Sequence, residues 1–173
     1  MMPLIDENRI IVKLGLERLK YSKSSGLRKL IEGKNIASAD VIGFHIGPRI
    51  NAAGRVDSPL KALKMLLASD DHMDEILTEI EDLNMKRRTS TEFFVTHALS
   101  VGNPSEAAVF YDSHEIEHGI IGLVAGRLCE AYGKPAIAFK QEGEKCVASA
   151  RAPEGFHLTN ALESMRELFV SFG

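Results

Sequence analysis

A long central stretch of the chain contains neither glycine nor proline, and it limits the folds that the sequence can adopt. It begins at Asp70 or Asp71 and extends to about Ser100. Apolar residues recur in it at three- and four-residue spacing, which is typical of one face of an α-helix: Met73, Ile76, Leu77, Ile80, Leu83, Phe94, Val95 and Ala98. A helix of about 30 residues would span roughly 45 Å. Since a small domain is narrower than this, we expect the helix to connect two bodies.

The sequence pattern differs on the two sides of this stretch. Before it, apolar periodicity and capping residues predict helices that begin near Asp6, near Ser24 or Ser25, and near Asp57. After it, the pattern predicts strands at 107–111, 136–140 and 146–150 and helices at 119–132 and 158–169. The sequence therefore predicts a mixed α/β protein, with a helical half followed by a small α/β domain that has a short mixed sheet. The expected parts are a helical region at 1–69, the connecting helix at 70–103 and the α/β domain at 104–173.

Composition argues against a broadly basic protein and against one that spans a membrane. The 173 residues carry a formal net charge of −3, so any site for a polyanion has to be local. No apolar run approaches the roughly 18 residues that a membrane span requires, and the charged segment after Pro3 predicts no signal peptide. Cys129 and Cys146 form no C-x-x-C motif and fall in apolar helix and strand patterns. We therefore expect buried thiols and a cytoplasmic protein.

Residues 47–55, GPRINAAGR, place two arginines six positions apart among glycine, proline and alanine. The guanidinium groups of Arg49 and Arg55 offer planar sets of donors that match phosphate oxygens. Small neighbouring residues let a ligand or another backbone segment come close. The segment is therefore a candidate phosphate site. A connection between two helices, with both arginines in solvent, explains the pattern equally well.

Two segments of the second half are also candidates for anion binding. Gly119 and Gly122 fall at the start of a predicted helix, where unpaired N–H groups can hold an anion, although glycine also serves close packing of a helix on a sheet. Ser149 and Arg151 should share one face at the end of a strand. A hydroxyl and a guanidinium there suit a phosphate or a nucleotide terminus. An edge-strand arginine that faces solvent is the alternative.

Residues 114–118, HEIEH, match the H-E-x-x-H motif of zinc hydrolases. In those enzymes both histidines lie on one helix and bind the metal, and the glutamate acts as general base. Here the motif falls in a strand-to-helix connection and Gly119 follows it directly, so we favour loop side chains at the rim of a site. Glu130 or Glu142 would be the third ligand if zinc were bound.

Several segments together resemble the RecJ family of single-strand-specific exonucleases, which belongs to the DHH phosphoesterase superfamily. Residues 47–55 resemble its most specific motif. Residues 119–128 with 134–137 resemble the start of its DHH-associated domain, and 149–151 followed by 155–158 resemble the GSARS…GF segment of that domain. Residues 3–9 resemble the sequence after the last catalytic motif of the DHH domain. The order also matches, so the resemblance implies a fragment made of the end of the DHH domain, the linker helix and most of the DHH-associated domain.

The resemblance implies exonuclease activity for the parent protein, in DNA repair and recombination. Such enzymes hydrolyse phosphodiester bonds from a strand end with two divalent ions, Mn²⁺ or Mg²⁺, held by Asp and His residues. Those ligands would precede Pro3. The resemblance therefore implies that this fragment has no catalytic or metal-binding residue, no bound cofactor and no activity by itself. Single-stranded DNA is the implied partner, and the sequence indicates no protein partner.

The resemblance also implies positions for the candidate residues, along a cleft between the two domains. One group would contact substrate phosphates or support the metal site: Arg49, Asn51 and Arg55. A second group would hold the end or backbone of the nucleic acid and line the cleft: Ser149, Arg151, Gly119 and Gly122.

The sequence departs from the family pattern at two places. Ile116 and Glu117 stand where the family commonly has Trp-His, and Ala148 and Ala152 replace the outer residues of the GSARS segment. Three other functions also stay open. They are another DHH phosphoesterase acting on oligoribonucleotides or small nucleotides, a zinc hydrolase that uses residues 114–118, and a non-catalytic module that binds nucleic acid or a partner.

Overall fold

The computed structural model describes residues 3–36, 38–69, 71–103 and 105–173, and it has the mixed α/β fold that the sequence predicts. The helices are α1 (Asp6–Leu19), α2 (Ser25–Ile31), α3 (Gly47–Val56), α4 (Pro59–Leu67), α5 (Met73–Val101), α6 (His118–Tyr132) and α7 (Leu158–Glu163). The strands are β1 (Val109–Asp112), β2 (Ala136–Glu142) and β3 (Lys145–Arg151). A π-helical segment at Val41–Ile46 and a 3₁₀ turn at Arg166–Leu168 complete the elements. Asp70 and Pro104, at the expected edges of the long helix, lie outside the described residues.

The chain divides into two compact units, Met1–Arg87 and Arg88–Gly173. The first unit is built of helices around one apolar core: Leu16, Leu30, Ile31, Val41, Ile46, Ala53, Ala62, Met65, Met73, Ile76 and Ile80. The last three of these belong to α5, which is one continuous helix, as the absence of glycine and proline predicts. The amphipathic periodicity of the sequence thus corresponds to real burial.

The ends of two helices in the first unit show which capping predictions hold. Ser24, one of the two predicted starts, caps α2, because its hydroxyl accepts a hydrogen bond from the Leu27 amide at 3.4 Å. The same hydroxyl donates to the Leu66 carbonyl at 2.8 Å, which ties α2 to the end of α4. The predicted cap of α1 is wrong. Asp6 is the first helical residue, and Ile5 before it provides no side-chain cap.

Residues 47–55 are a helix and not a connection between helices. The π-helical segment passes directly into α3, and a Cβ placed on Gly47 would lie only 2.9 Å from the Ile42 carbonyl oxygen. The π turn therefore requires glycine at this position. Ala52 and Ala53 are completely buried. The small residues that suggest room for a ligand in the sequence thus serve the packing of α3.

The second unit contains a three-stranded sheet in the order β1-β2-β3, with β1 parallel and β3 antiparallel to β2. One row across the sheet is Val109, Ala136 and Arg151. Because paired residues point to the same side of a sheet, this row lies on one face. Helix α6 packs against that face with side chains that are almost completely buried: Ile120, Ile121, Val124, Ala125 and Leu128.

Two expectations for the second unit are wrong. The helix predicted at 158–169 already ends at Glu163, and its apolar residues Leu158, Ala161 and Leu162 are only half-buried. Cys146 is exposed because β3 lies at the edge of the sheet, whereas Cys129 is buried as expected. Among the described residues, no helix combines the length and the apolar character needed to cross a membrane.

Candidate functional site

One group of residues in the second unit joins α6 to β3, and we call it the Gly122 cluster: Gly122, Ser149 and Arg151. A Cβ placed on Gly122 would lie 3.1 Å from Ser149 Oγ and 3.2 Å from Arg151 Nη2. Arg151 Nη1 donates hydrogen bonds to Ser149 Oγ at 3.1 Å and to the Ala150 carbonyl at 2.7 Å. Residues from two separate sequence segments therefore lie in direct contact.

The strand register explains how the Gly122 cluster forms. Arg151 pairs with Ala136, and Ser149 pairs with Ala138. Both alanines are completely buried on the face that α6 covers. Small residues on the strand and the absent side chain at Gly122 let the arginine lie against the helix, while Arg151 as a whole stays exposed. The alternation of strand side chains predicts a common face for Ser149 and Arg151, and the structure confirms it.

The Gly122 cluster offers hydrogen-bond donors to an anion. The Ser149 oxygen accepts from Arg151, so the hydroxyl proton can be donated to another group. Arg151 adds a permanent positive charge and a planar set of donors. Burial raises the pKa of the Cys129 thiol on α6, and the positive charge of Arg151 acts in the opposite direction. An oxyanion such as phosphate matches this donor set.

The start of α6 has a less favourable charge distribution for an anion. No side-chain hydrogen bond caps this helix, and the Ile120 amide in its first turn donates to the Glu117 carbonyl at 3.0 Å. The carboxylate of Glu117, which precedes the helix, accepts a hydrogen bond from the Ser90 hydroxyl at 3.2 Å and adds negative charge nearby. Gly119 is half-buried in the first turn and already makes a contact within the fold. The geometry therefore favours Gly122 over Gly119 as part of an anion site.

The H-E-x-x-H segment does not form the histidine pair of a zinc hydrolase. Helix α6 begins at His118, so the exposed His114 lies before the helix and not one turn along it. His118 Nε2 instead lies 2.6 Å from Glu142 Oε1, as donor to that carboxylate. In the part of the chain that the structure describes, no group of three or more His, Cys, Asp or Glu side chains could hold a metal ion. These residues fit neither a zinc centre nor a pair of divalent ions, and we assign no step to a metal on them.

The contact of His118 with Glu142 predicts a measurable effect on titration. The hydrogen bond from His118 lowers the pKa of Glu142 below its ordinary value of 4.5. Because the carboxylate pKa is depressed, the contact stabilises the fold above about pH 4.5. This stabilisation is lost as the pH falls through the lowered pKa of Glu142. We expect the pKa of Glu142, followed by NMR of the side-chain carboxyl carbon, to rise in His118→Ala and to stay unchanged in His114→Ala. An equal pKa in the wild type and in His118→Ala would contradict this contact.

Arg49, Asn51 and Arg55 lie on α3 and do not share one face. At about 100° per residue, Asn51 and Arg55 are turned about 200° and 240° from Arg49, so these two lie about 40° apart on one side of the helix and Arg49 lies on the other. Asn51 is exposed, whereas both arginines are half-buried. Arg55 already makes an interaction within the fold. The six-residue spacing therefore places both arginines on α3, but on different sides of the helix.

Sequence reasoning missed the partners of Arg49. Its Nε donates to the carboxylate of Glu81 in α5, and its Nη1 donates to the His45 carbonyl at 2.9 Å. Glu81 is 32 positions away in the sequence, and no local pattern connects the two residues. The spacing of four between His45 and Arg49, within one continuous helical segment, is the only signal that could have indicated the carbonyl contact.

The chain is similar to bacterial proteins named single-stranded-DNA-specific exonuclease RecJ. It is 33% identical to the Bacillus subtilis protein over 183 residues, which covers 100% of this chain and 23% of that protein. The Thermus thermophilus protein is 35% identical over 173 residues, covering 99% and 25%, and the Escherichia coli protein is 30% identical over 185 residues, covering 97% and 32%. The chain thus spans about a quarter to a third of the length of these curated relatives. No family model matches the chain.

Solved structures of RecJ proteins have the same fold as this chain. The crystal structure of RecJ from Thermus thermophilus in complex with Mg²⁺ matches with a TM-score of 0.90 and 32% identity, over 99% of this chain and 28% of that one. A crystal structure of exonuclease RecJ bound to manganese matches with a TM-score of 0.81 and 33% identity, over 99% and 44%. Similar sequence and similar fold extend over nearly the whole chain. The chain therefore belongs to the RecJ family and corresponds to one portion of the longer RecJ proteins.

Proposed function

We propose that this chain is the substrate-binding portion of a single-stranded-DNA-specific exonuclease, and that the Gly122 cluster contacts phosphates of the strand. The observation that carries the proposal is the contact of Arg151 with Ser149 beside the bare backbone of Gly122. The names of the relatives supply the substrate class. A hydroxyl and a guanidinium on one small surface match the oxygens of a phosphodiester. Such contacts carry no base information, so binding should not depend on DNA sequence.

Hydrolysis itself would be carried out by parts of the whole protein outside this chain. Crystal structures of the relatives contain Mg²⁺ or Mn²⁺, and we propose that the whole protein uses one of these ions. Bound divalent ions of this kind activate a water molecule for attack on a phosphodiester. Since the described residues form no group that could hold a metal ion, we expect this chain alone to bind DNA without cutting it. A cytoplasmic location is part of the proposal, and two free cysteines fit it.

Each part of the chain has a place in this proposal. Residues 1–69 would be the end of the DHH domain, 70–103 the connecting helix and 104–173 the DHH-associated domain. In the first unit, Arg49 is the best candidate for a phosphate contact, because its two contacts hold the guanidinium at a half-buried position and leave other N–H donors unused. Asn51 and Arg55 would support binding there, and Gly119 would have a minor role beside the Gly122 cluster.

Replacing Arg151 with alanine tests the proposal. We expect the affinity for a fluorescent oligothymidine to fall roughly tenfold, since a hydrogen bond to a charged group is lost. The slope of log K against log salt concentration should also become less steep by about 0.7. Each phosphate contact releases counterions on binding, and the variant makes one contact fewer. Fluorescence anisotropy at several salt concentrations measures both quantities. The net charge of −3 leaves binding dependent on local donors, so oligothymidine has to be titrated to high concentration.

Arg127→Ala is the matched control, because it removes the same charge from an exposed arginine of α6. We expect Arg127→Ala to leave the salt slope close to that of the wild type. Equal slopes for Arg151→Ala and the wild type would contradict the role of Arg151. A wild-type chain that binds no oligothymidine at millimolar concentration would contradict the proposed function itself.

A further inference from the structure

Arg49 is held in one orientation by two acceptors from different elements. Its Nε donates to the Glu81 carboxylate on α5, and its Nη1 donates to the His45 carbonyl of the π-helical segment at 2.9 Å. The side chain of Arg49 is 23% exposed and that of Glu81 is 48% exposed. A partly buried guanidinium with two acceptors cannot rotate freely. Its plane therefore has a defined direction before any ligand arrives.

The outer edge of the Arg49 guanidinium has donors to spare. A guanidinium carries five N–H hydrogens in one plane, and the two contacts use one on Nε and one on Nη1. Within the part of the chain that the structure describes, Nη2 makes no hydrogen bond. Nη2 thus keeps both of its hydrogens and Nη1 keeps one, so a pair of donors on the two nitrogens remains. Two phosphate oxygens accept such a pair in the bidentate arrangement that arginine favours.

A neighbouring cation of the first unit has a different environment. Lys61 contacts two carboxylates, those of Asp57 and Glu79, each at 2.8 Å. Hydrogen bonds to these two groups raise the pKa of Lys61. Its charge is therefore matched within the fold, and Glu79 on α5 serves to tie α4 to α5. Arg49 has one carboxylate and one neutral carbonyl, which use two of its five N–H donors and leave three for a ligand.

We propose that Glu81 is a positioning residue, which holds Arg49 so that the Nη1–Nη2 edge meets a phosphate of single-stranded DNA. The inference rests on the proposed function, from which it takes the phosphate contact of Arg49. Glu81 itself does not touch the DNA. Without Glu81, an arginine with free rotamers has to be ordered during binding. The cost of ordering one such side chain corresponds to a roughly twofold to tenfold loss of affinity.

The sign of the change in affinity separates this role from a simple charge effect. Glu81→Ala and Glu79→Ala each remove one carboxylate from α5 in the same unit, and Glu79 does not contact Arg49. Loss of negative charge alone strengthens the binding of a polyanion. In the 173-residue chain we expect Glu79→Ala to bind oligothymidine at least as tightly as the wild type. Glu81→Ala should bind roughly twofold to tenfold more weakly, with a salt slope reduced towards that of Arg49→Ala. Glu81→Gln keeps an acceptor and should restore most of the affinity.

Several outcomes would overturn the inference. One is a Glu81→Ala variant that binds oligothymidine as tightly as Glu79→Ala does. Another is a double variant, Arg49→Ala with Glu81→Ala, that binds oligothymidine more weakly than Arg49→Ala alone. If Glu81→Ala fails to fold, Glu81→Asp takes its place with the same expected weakening, because its carboxylate is one methylene shorter. The Arg49 Nε–H signal in NMR should be protected from exchange in the wild type and in Glu81→Gln, and unprotected in Glu81→Ala.

The inference and the proposed function can fail separately. Arg49→Ala that binds like the wild type would remove the Arg49 contact and this inference with it. The proposed function would still stand or fall on Arg151→Ala, because the Gly122 cluster lies in the other unit.

Discussion

Gly122→Leu is expected to weaken the binding of single-stranded DNA roughly 10- to 100-fold, because it displaces both donors of the Gly122 cluster. Even a methyl group at this position would lie 3.1 Å from Ser149 Oγ and 3.2 Å from Arg151 Nη2. Leucine adds three more carbon atoms on the same side, so the guanidinium has to leave the helix surface. Gly122→Ala should have a smaller effect, since a shift of a few tenths of an ångström relieves its contacts. Anisotropy titrations with oligothymidine measure all three affinities.

Gly126→Leu provides the matched control for this substitution. Gly126 lies on the same helix, and a Cβ placed on it meets no atom within 4 Å. Both substitutions raise helix propensity by about 1 kcal/mol relative to glycine. A difference in DNA affinity between the two variants therefore comes from the contacts of the Gly122 cluster. Circular dichroism checks that each variant folds. Equal affinities for Gly122→Leu and Gly126→Leu would show that DNA does not use the Gly122 cluster.

Met65→Ala is expected to lower the free energy of unfolding by about 2–5 kcal/mol, the usual cost of truncating a buried methionine. Met65 is completely buried in the core of the first unit. Its backbone and side chain also lie against Gly26 of α2, where a Cβ would approach the Met65 carbonyl oxygen to 2.3 Å. Closely approaching helices leave little room to close a cavity. Urea unfolding followed by circular dichroism measures the change.

Met85→Ala is the control for this loss of stability. Met85 lies on α5 in the same unit, but its side chain is 61% exposed. Its replacement should change the free energy of unfolding by less than about 0.5 kcal/mol. A similar loss for both variants would mean that burial at Met65 does not stabilise the first unit. DNA binding by Met65→Ala should remain normal at low temperature, because the Gly122 cluster lies in the second unit.

The elements that could be predicted from sequence are those with strong local signals. The length of α5 follows from periodicity without glycine or proline, and the shared face of Ser149 and Arg151 follows from strand alternation. Helix α3 was missed because Gly47 and Pro48 are typical of turns. In the structure, glycine satisfies a π turn and proline occupies the first helical turn, where its missing N–H costs nothing.

The contacts that could not be predicted depend on tertiary packing. The partner of Arg49 is a glutamate on a distant helix, and the partner of His118 is Glu142 on a neighbouring strand. Nothing in the spacing of these residues indicates which charges meet. The exposure of Cys146 likewise follows from the position of β3 at the sheet edge, which the apolar pattern of the strand does not reveal. The resemblance to the family indicates the candidate residues, and tertiary packing determines which of them lie together.

We propose that this chain binds single-stranded DNA through phosphate contacts at the Gly122 cluster. Amide chemical-shift mapping of the isotope-labelled chain during titration with oligothymidine tests it most directly, because NMR reports every residue separately. We predict the largest changes at Gly122, Ser149 and Arg151, with a second group around Arg49. A titration in which the Gly122 cluster does not respond, whether or not other residues do, would contradict the claim.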